Sequence, residues 1–430
     1  MRVTLTALLG GQGVLLVGVG LLGTLVGVRA AMESFGNLEI GLVMAAYYVG
    51  YILGAHYGPG IISSVGHIRS FAAFAALTAV SVLAFGLWVN PWAWFVFRLI
   101  NGAAVVGVYM VVESWLIEQT PGPLRARIFS AYMAITLVAL AAGQALLVTY
   151  PVEGSQLFAL ATILVMLGLI PIAVTRVQEP LVQIPTPLAL GRLVGLSPLG
   201  VAGAVVAGVV QGIFWGLTPV FAQRLAMAPG EIALLMGATI IGGAVLQYPI
   251  GHLSDSHDRR RVLVATSLGG AAAAFAAGWI VMKGAGGLPA MAFLYGGLMF
   301  SLYGLSVAHT NDHLDAGHTL SATRGLLMVY GVGAFLGPLL GGAAMKVAGP
   351  LGLPVISGSM LVILAVFGLA RMLLRAAPAI ADQAPYVPMV RTTPMVLEMH
   401  PEAEVEPELD LTGGGSAGPH DHGDGDIDAR

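Results

Sequence analysis

Cysteine is absent from this 430-residue chain, and charged residues make up only 10% of it. Without cysteine, the chain can form neither disulfide bonds nor thiolate metal sites. A soluble domain carries roughly 25% charged residues, whereas 57% of this chain is hydrophobic. The composition therefore indicates a protein that is surrounded by lipid, and the bilayer is its first expected partner.

The sequence also lacks the short motifs that mark common enzyme classes. It contains no Walker-type phosphate loop, dinucleotide glycine fingerprint, HExxH zinc signature or nucleophile-elbow serine in a suitable context. We therefore predict that the chain is not an enzyme, holds no cofactor or metal, does not pump with ATP and has no nucleic-acid partner.

Apolar runs of about 20 residues, long enough to cross a bilayer as helices, recur along the chain to about residue 375. They lack the alternation of barrel strands. The predicted fold class is therefore an all-α membrane protein with twelve transmembrane helices in two six-helix halves. The first run lacks a convincing cleavage site and is predicted to be a retained helix. The predicted helices are 7–28, 38–57, 70–89, 93–117, 128–149, 155–175, 199–222, 231–250, 262–282, 290–310, 324–346 and 351–375.

These segments divide the chain into four regions. Residues 1–178 and 199–377 form the predicted halves, and the proline-rich stretch 179–198 forms a cytoplasmic linker between them. Residues 378–430 hold eleven acidic and two basic side chains and too few apolar groups to bury a core, so we predict a disordered acidic tail. Its end, 420–426, could bind a divalent metal weakly or could be a solvated acidic stretch with incidental histidines.

The distribution of basic residues predicts the topology. With the N-terminus in the cytoplasm, twelve basic residues of the helical body fall inside and four fall outside, as expected because cytoplasmic loops carry the excess of Lys and Arg. We therefore predict a multi-pass protein of the cell inner membrane with both termini in the cytoplasm. The inside residues are Arg2, Arg69, Arg125, Arg127, Arg176, Arg192, Arg259, Arg260, Arg261, Arg324, Arg371 and Arg375. The outside residues are Arg29, Arg224, Lys283 and Lys346.

A faint internal repeat supports two related halves. The pattern Glu-Ile-x-Leu-x-Met opens the second predicted helix at 39–44 and the eighth at 231–236. Transporters are often built from repeated halves, with the substrate bound between them near the bilayer midplane. At the same offset, Gly50 corresponds to Gly242 and Arg69 to Arg261.

The fourth predicted helix carries a polar stripe. Arg98, Gly102, Tyr109 and Glu113 fall within about 60° of one another at 100° per residue. Arg98 and Glu113 are separated by roughly 22 Å of helical rise, so they cannot pair with each other. Because ionisable groups in a membrane are costly, Arg98 is a candidate anion or proton-coupling site, or a structural partner of helix-end carbonyls. Glu113 is a candidate proton-coupling group, or is hydrated or paired with a nearby arginine.

Two further polar groups lie near predicted helix ends. Arg29 and Glu33 are four residues apart and share a helical face, so they are either a cavity or gate pair or a helix-end salt bridge. His309, Asp312 and His313 share a face of the tenth predicted helix, and histidine titrates near neutral pH. We place His309 and Asp312 on the substrate or proton pathway, with helix-end structure as the alternative and a metal site as a weaker one.

The loop between the eighth and ninth predicted helices, residues 251–260, contains Gly251, Asp255, Arg259 and Arg260, and we call it the 251–260 loop. It resembles the gating loop of the major facilitator superfamily. The resemblance implies that these residues lock helix ends together in one conformation. The equivalent loop of the first half, 58–69, lacks the acidic residue, so we expect its latch to be weaker or differently built.

The fourth predicted helix adds a second resemblance. Arg98-x-x-Asn101-Gly102 is similar to the RxxQG element of the family, whose arginine is tied to proton coupling, with Asn101 in place of glutamine. The segments VRAAMESF, VGHIRSFAA, VVESWL, AHTND and LLMVYGVGAFLGPLLGG resemble the YcaD-type branch of the superfamily. The resemblance extends from about residue 5 to about residue 375.

The predicted function is secondary active transport of an unidentified small molecule by alternating access of the two halves, with protons as the candidate coupling ion. Members of the family commonly act alone, so we expect a monomer. The alternative is a membrane receptor or sensor that signals through its acidic tail. Deletion of 378–430 separates the two, because a transporter should keep its flux whereas such a receptor should fall silent.

Overall fold

The computed structural model describes residues 2–120, 124–174, 188–284, 286–314 and 319–374, together with Gln383 and Tyr386. These residues form twelve helices of membrane length and one short helix, and no strand occurs among them. The all-α fold class is confirmed. The helices are α1 (Arg2–Met32), α2 (Asn37–Val65), α3 (His67–Leu87), α4 (Pro91–Gln119), α5 (Arg125–Ala145), α6 (Gln156–Val174), the short α7 (Leu190–Leu196), α8 (Pro198–Arg224), α9 (Pro229–Ser256), α10 (Arg259–Lys283), α11 (Leu288–Asn311), α12 (Thr319–Ala348) and α13 (Gly352–Leu374).

Each of the twelve predicted segments coincides with one long helix, but several helices run further than predicted. α2 continues to Val65 past Pro59, and α9 continues to Ser256 past Pro249. Apolar length alone ended both predictions near these prolines. In a membrane bundle, an interior proline is tolerated because neighbouring groups satisfy the backbone carbonyl that it frees.

The first six long helices and the last six pack in corresponding ways. α2 packs on α4 as α9 packs on α11, and α3 contacts α4 and α6 as α10 contacts α11 and α13. Between the two groups, α1 packs on α8, α2 on α12 and α5 on α9. This arrangement makes a bundle whose central surface is shared by both groups of helices.

Glycines set the closest helix contacts at repeat-related positions. A β-carbon built on Gly50 of α2 would overlap the backbone of Leu99 in α4, and one built on Gly242 of α9 would overlap Phe293 in α11. Small residues let membrane helices approach at backbone distance. The repeat that pairs Gly50 with Gly242 in the sequence therefore marks equivalent crossings.

Two regions of the prediction lie partly outside the described residues. Of the predicted linker 179–198, only 188–198 is described, and there the Leu188 amide donates to the Ser321 carbonyl at 2.9 Å, which fixes α7 beside α12. Of the predicted tail 378–430, only Gln383 and Tyr386 are described, so the 420–426 segment lies outside the described residues.

Side-chain hydrogen bonds join the two groups of helices on one side of the bundle. We call the side on which α1 begins and α13 ends the terminal side, and the other the opposite side. On the opposite side, Arg224 Nη2 donates to the Phe35 carbonyl at 2.8 Å, and Asn37 Nδ2 donates to the Met345 carbonyl at 3.1 Å. These hydrogen bonds join the first six helices to the last six, so the opposite side is shut in this state.

Candidate functional site

Arg98 lies two turns inside α4, whose start is fixed by local sequence. Asn90 caps the helix by accepting hydrogen bonds from the Trp92 and Ala93 amides at 3.0 and 3.2 Å, a common role for asparagine. The Arg98 side chain points into the bundle and the residue is only 6% exposed. A guanidinium is thereby held in the interior of the membrane bundle.

Met44 and Tyr47 of α2 hold this guanidinium from one side. Arg98 Nη2 lies 3.4 Å from the Met44 sulfur, and the Arg98 Cζ lies 5.2 Å from the centroid of the Tyr47 ring. The second distance is that of a cation–π contact, which is stronger when it is shielded from water. The first half of the bundle therefore presents Arg98 in a defined orientation.

Arg98 faces a small central cavity between the two groups of helices. The cavity measures about 20 Å³, close to the smallest space that holds a water molecule. Among its ten described lining residues, Arg98 is the charged one, and three others are aromatic. The walls come from α1, α2, α4 and α8: Val19, Leu22, Gly23, Met44, Tyr47, Tyr48, Arg98, Asn101, Trp215 and Gly216.

Asn101 lines the same cavity one turn along α4. Its Nδ2 donates to the Ser81 hydroxyl of α3 at 3.0 Å, and both residues are buried. This hydrogen bond orients the Asn101 side chain and leaves its carbonyl oxygen as the group that can accept from a ligand. The structure thus brings Arg98 and Asn101, the two polar residues of the RxxQG-like element, to one site.

Glu113 lies elsewhere, further along α4 towards the terminal side. It has no exposed surface, and the Tyr132 hydroxyl of α5 donates to its Oε1 at 2.8 Å. Tyr109, one turn before Glu113 on α4, is also buried. Glu113 and Tyr132 therefore form a buried carboxyl–tyrosine pair, separate from the residues that line the central cavity.

Arg259 links the 251–260 loop to the end of α11. It donates to Asp255 at 2.9 Å, to Asp312 at 2.5 Å and to the Ser254 hydroxyl at 2.9 Å. The side chains of Arg259 and Asp312 are each 1% exposed, whereas that of Asp255 is 38% exposed. The structure thus joins the ends of α9, α10 and α11 and places Asp312 within this cluster.

Arg260 forms a second ion pair at the start of α10. It donates to Asp258 Oδ2 at 2.9 Å, and Asp258 caps α10 by accepting from the Arg260 amide at 3.1 Å. Partial burial acts to raise the pKa of Asp258, but the hydrogen bonds and the positive charges of Arg260 and Arg261 outweigh it and lower that pKa. The carboxylate is therefore stabilised in its ionised form.

The remaining predicted residues lie at helix ends. On the opposite side, Arg29 pairs with Glu33 at 2.6 Å and donates to the Val152 carbonyl at 3.0 Å, which ties α1 to the α5–α6 connection. His309 is buried, with its ring 4.9 Å from that of His313. Within the described residues, no group of three or more His, Cys, Asp or Glu could hold a metal ion.

Sequence reasoning missed much of the cavity wall. Met44, Tyr47 and Trp215 are ordinary residues for an apolar helix, so nothing in their identity separates wall from core. The run AAYYVGY at 45–51 was the available signal, because closely spaced tyrosines carry polar hydroxyls into a membrane helix. Tyr132, one of few polar residues in its helix, was a similar signal.

Comparison with known proteins agrees with this architecture. The sequence model of the Major Facilitator Superfamily matches residues 200–388. Relatives described as uncharacterized MFS-type transporter YcaD occur in Salmonella arizonae, at 28% identity over 335 residues, and in Escherichia fergusonii, at 27% over 333 residues. Each comparison covers 77% of this chain and 86% of the relative. The predicted resemblance to the major facilitator superfamily is therefore confirmed.

Solved structures share the fold of this chain. A bacterial homologue of the lysosomal transporter Spinster, in an inward-facing unoccupied conformation, matches with a TM-score of 0.69 at 14% identity, covering 89% of this chain and 98% of the other. The nucleoside transporter NupG gives a TM-score of 0.67 at 15% identity, covering 86% and 99%. The resemblance to the YcaD-type branch is confirmed, and the receptor alternative is not favoured.

Proposed function

We propose that this transporter moves a small organic anion through the central cavity by alternating access, coupled to protons. The observation that carries the proposal is the position of Arg98, an always-ionised guanidinium, in a cavity whose walls come from both groups of helices. Charged residues in a membrane interior commonly mark substrate or ion pathways. Carboxylates suit this position because a guanidinium binds them through two parallel hydrogen bonds.

The other walls suggest the shape of the anion. Tyr47, Tyr48 and Trp215 surround the cavity, and aromatic side chains pack well against flat rings. An aromatic carboxylate would place its charge on Arg98 and its ring among these side chains. The present cavity of about 20 Å³ is too small for such a molecule, so loading requires the two halves to rock apart around it.

Glu113 is the proposed proton carrier. A fully buried carboxyl group gains or loses a proton readily when its surroundings change, because burial opposes the charged form and hydrogen bonds to the carboxylate favour it. The Tyr132 hydroxyl supplies such a hydrogen bond. Rocking that alters access to Glu113, on the terminal side of Arg98, would couple its protonation to movement of the anion.

A binding experiment tests the role of Arg98. In purified protein, we expect benzoate to bind more tightly than either benzyl alcohol, which lacks the charge, or acetate, which lacks the ring. Arg98→Gln should weaken benzoate binding roughly tenfold or more, since hydrogen bonds to charged groups contribute about 1.5–3 kcal/mol. Arg29→Gln is the matched control, because Arg29 pairs with Glu33 away from the cavity. Equal binding of benzoate and benzyl alcohol would contradict the proposal.

A transport experiment tests Glu113. In proteoliposomes, Glu113→Gln should abolish benzoate-dependent proton movement while leaving benzoate-for-benzoate exchange intact. Glu118→Gln, a change at an exposed residue of the same helix, should leave both processes unchanged. Loss of exchange together with proton movement would show that Glu113 is needed for the conformational cycle itself rather than for coupling.

We also propose that the terminal side faces the cytoplasm in the inner membrane and that the protein acts as a monomer. Because the chain has no cysteine, single introduced cysteines report sidedness without background. In intact cells, an impermeant maleimide should label Tyr150→Cys on the opposite side and spare Ser64→Cys on the terminal side, and both positions are exposed. The reverse labelling would invert the topology.

A further inference from the structure

Tyr386 lies beyond the end of α13, yet its ring is inserted between two other helices. A β-carbon built on Gly304 of α11 would lie 2.8 Å from the Tyr386 ring, and one built on Gly251 of α9 would overlap it. The two glycines thus leave the space that this ring fills, which we call the tyrosine slot. Any side chain at Gly251 would compete with Tyr386 for that space.

Polar contacts hold Tyr386 and Gln383 against the end of α9. The Tyr386 amide donates to Asp255 Oδ1 at 2.9 Å. The Gln383 side-chain amide is assigned the orientation in which its nitrogen faces acceptors, and it then donates to the carbonyls of Ser254 and His257 at 3.3 Å each. The last carbonyls of a helix lack partners within the helix. Gln383 therefore caps the end of α9, while the Tyr386 ring fills the tyrosine slot.

The oxygen to which the Tyr386 amide donates belongs to Asp255, which also pairs with Arg259 in the 251–260 loop. Asp255 Oδ1 also accepts from Arg259 at 2.9 Å, and its side chain remains 38% exposed. It is therefore the acidic group of this cluster that can reach a cation from outside the second half, whereas Asp312 is enclosed.

The first half offers such cations on the same side. α5 packs on α9 across the halves, and the two run antiparallel. At the opposite side, the start of α9 at Gly230 lies beside Val148, just after α5. At the terminal side, α5 begins with Arg125 and Arg127, while α9 ends beside Asp255. Closing the terminal side would bring these opposite charges together.

We propose that Gln383 and Tyr386 form a strap that favours the state closed on the opposite side by occupying Asp255 and covering the end of α9. This inference rests on the proposed rocking of the two halves. A contact that is made in only one of two states shifts the equilibrium towards that state. Releasing the strap should therefore raise the population closed on the terminal side and free Asp255 to meet α5.

Spin labels can measure this population directly. Arg69→Cys and Arg261→Cys place labels at exposed, repeat-related positions in the first turns of α3 and α10, both on the terminal side. In reconstituted protein that carries both cysteines, we expect two distance components. Adding Tyr386→Ala should raise the ratio of the shorter component to the longer one roughly tenfold, because it removes the buried ring that holds the strap in the tyrosine slot.

Two further variants test whether the ring of Tyr386 is responsible for the effect. All of these variants keep the backbone amide of residue 386. Tyr386→Phe also retains the ring and should leave the ratio unchanged, whereas Gly251→Ala should expel the ring and act like Tyr386→Ala. Two components whose ratio neither Tyr386→Ala nor Gly251→Ala alters would overturn the strap but leave rocking intact. A single distance in every variant would overturn both proposals, and neither result depends on the benzoate experiments.

Discussion

Replacing Arg259, which is buried, should destabilise the protein more than replacing an exposed arginine. Arg259→Met removes the cation from a cluster in which Arg259 and Asp312 are each 1% exposed. Removing one partner of a buried ion pair costs about 3–5 kcal/mol, because the other charge stays buried. Asp255 adds little to this figure, since its side chain is 38% exposed and solvent screens it.

Thermal unfolding of purified protein in one detergent measures the effect. Arg261→Met is the control, because its side chain is 76% exposed and lies 3.8 Å from Asp258, where a surface pair contributes about 0–1 kcal/mol. The double variant Arg259→Met/Asp312→Leu should recover most of the lost stability, since an apolar pair can replace a buried ion pair. Equal stability of Arg259→Met and Arg261→Met would refute the reasoning.

Three further variants probe other contacts by thermal unfolding. Asp258→Asn should be less stable than wild type at neutral pH, and the difference should vanish as pH falls through the lowered folded-state pKa of Asp258, because the carboxylate stabilises the fold only while ionised. Tyr132→Phe should cost about 1–3 kcal/mol by removing the donor to buried Glu113, whereas exposed Tyr150→Phe should be neutral. Gly102→Ala should be strongly destabilising, because its β-carbon would overlap Tyr47 in α2, whereas Gly10→Ala, which meets no neighbour, should be tolerated.

The sequence predicted the helices well because the bilayer imposes length and hydrophobicity on each of them. It singled out Arg98 by its place on a polar helical face and Asn101 by its place in the RxxQG-like element, and the structure brings both to the cavity. It could not predict which residues of α1, α2 and α8 complete the wall. Trp215 and Arg98 line the same cavity only because the two halves pack together, and periodicity within one helix carries no information about that packing.

The polar residues near helix ends show the same limit. The sequence grouped Asp312 with His309 because they share a helical face, and their side chains lie 3.9 Å apart in the structure. It did not predict that Asp312 also pairs with Arg259, 53 positions earlier in the chain. Tyr386 lay in a stretch whose composition predicted disorder, and its slot depends on two glycines from different helices. Both contacts form between segments that are far apart in the sequence, so local composition does not predict them.

The two equivalent loops differ in the way the sequence suggested, and the structure shows what replaces the lost acidic residue. In the second half, Arg259 joins helix ends through ion pairs. In the first half, buried His67 and Phe71 pack their rings 6.0 and 5.7 Å from that of Trp115, so aromatic contacts join α3 to α4. Ion pairs can exchange partners when helices move, whereas a packed aromatic cluster must be broken to release its helices. We therefore expect that closing the terminal side exchanges the partners of ion pairs in the second half, where the strap lies.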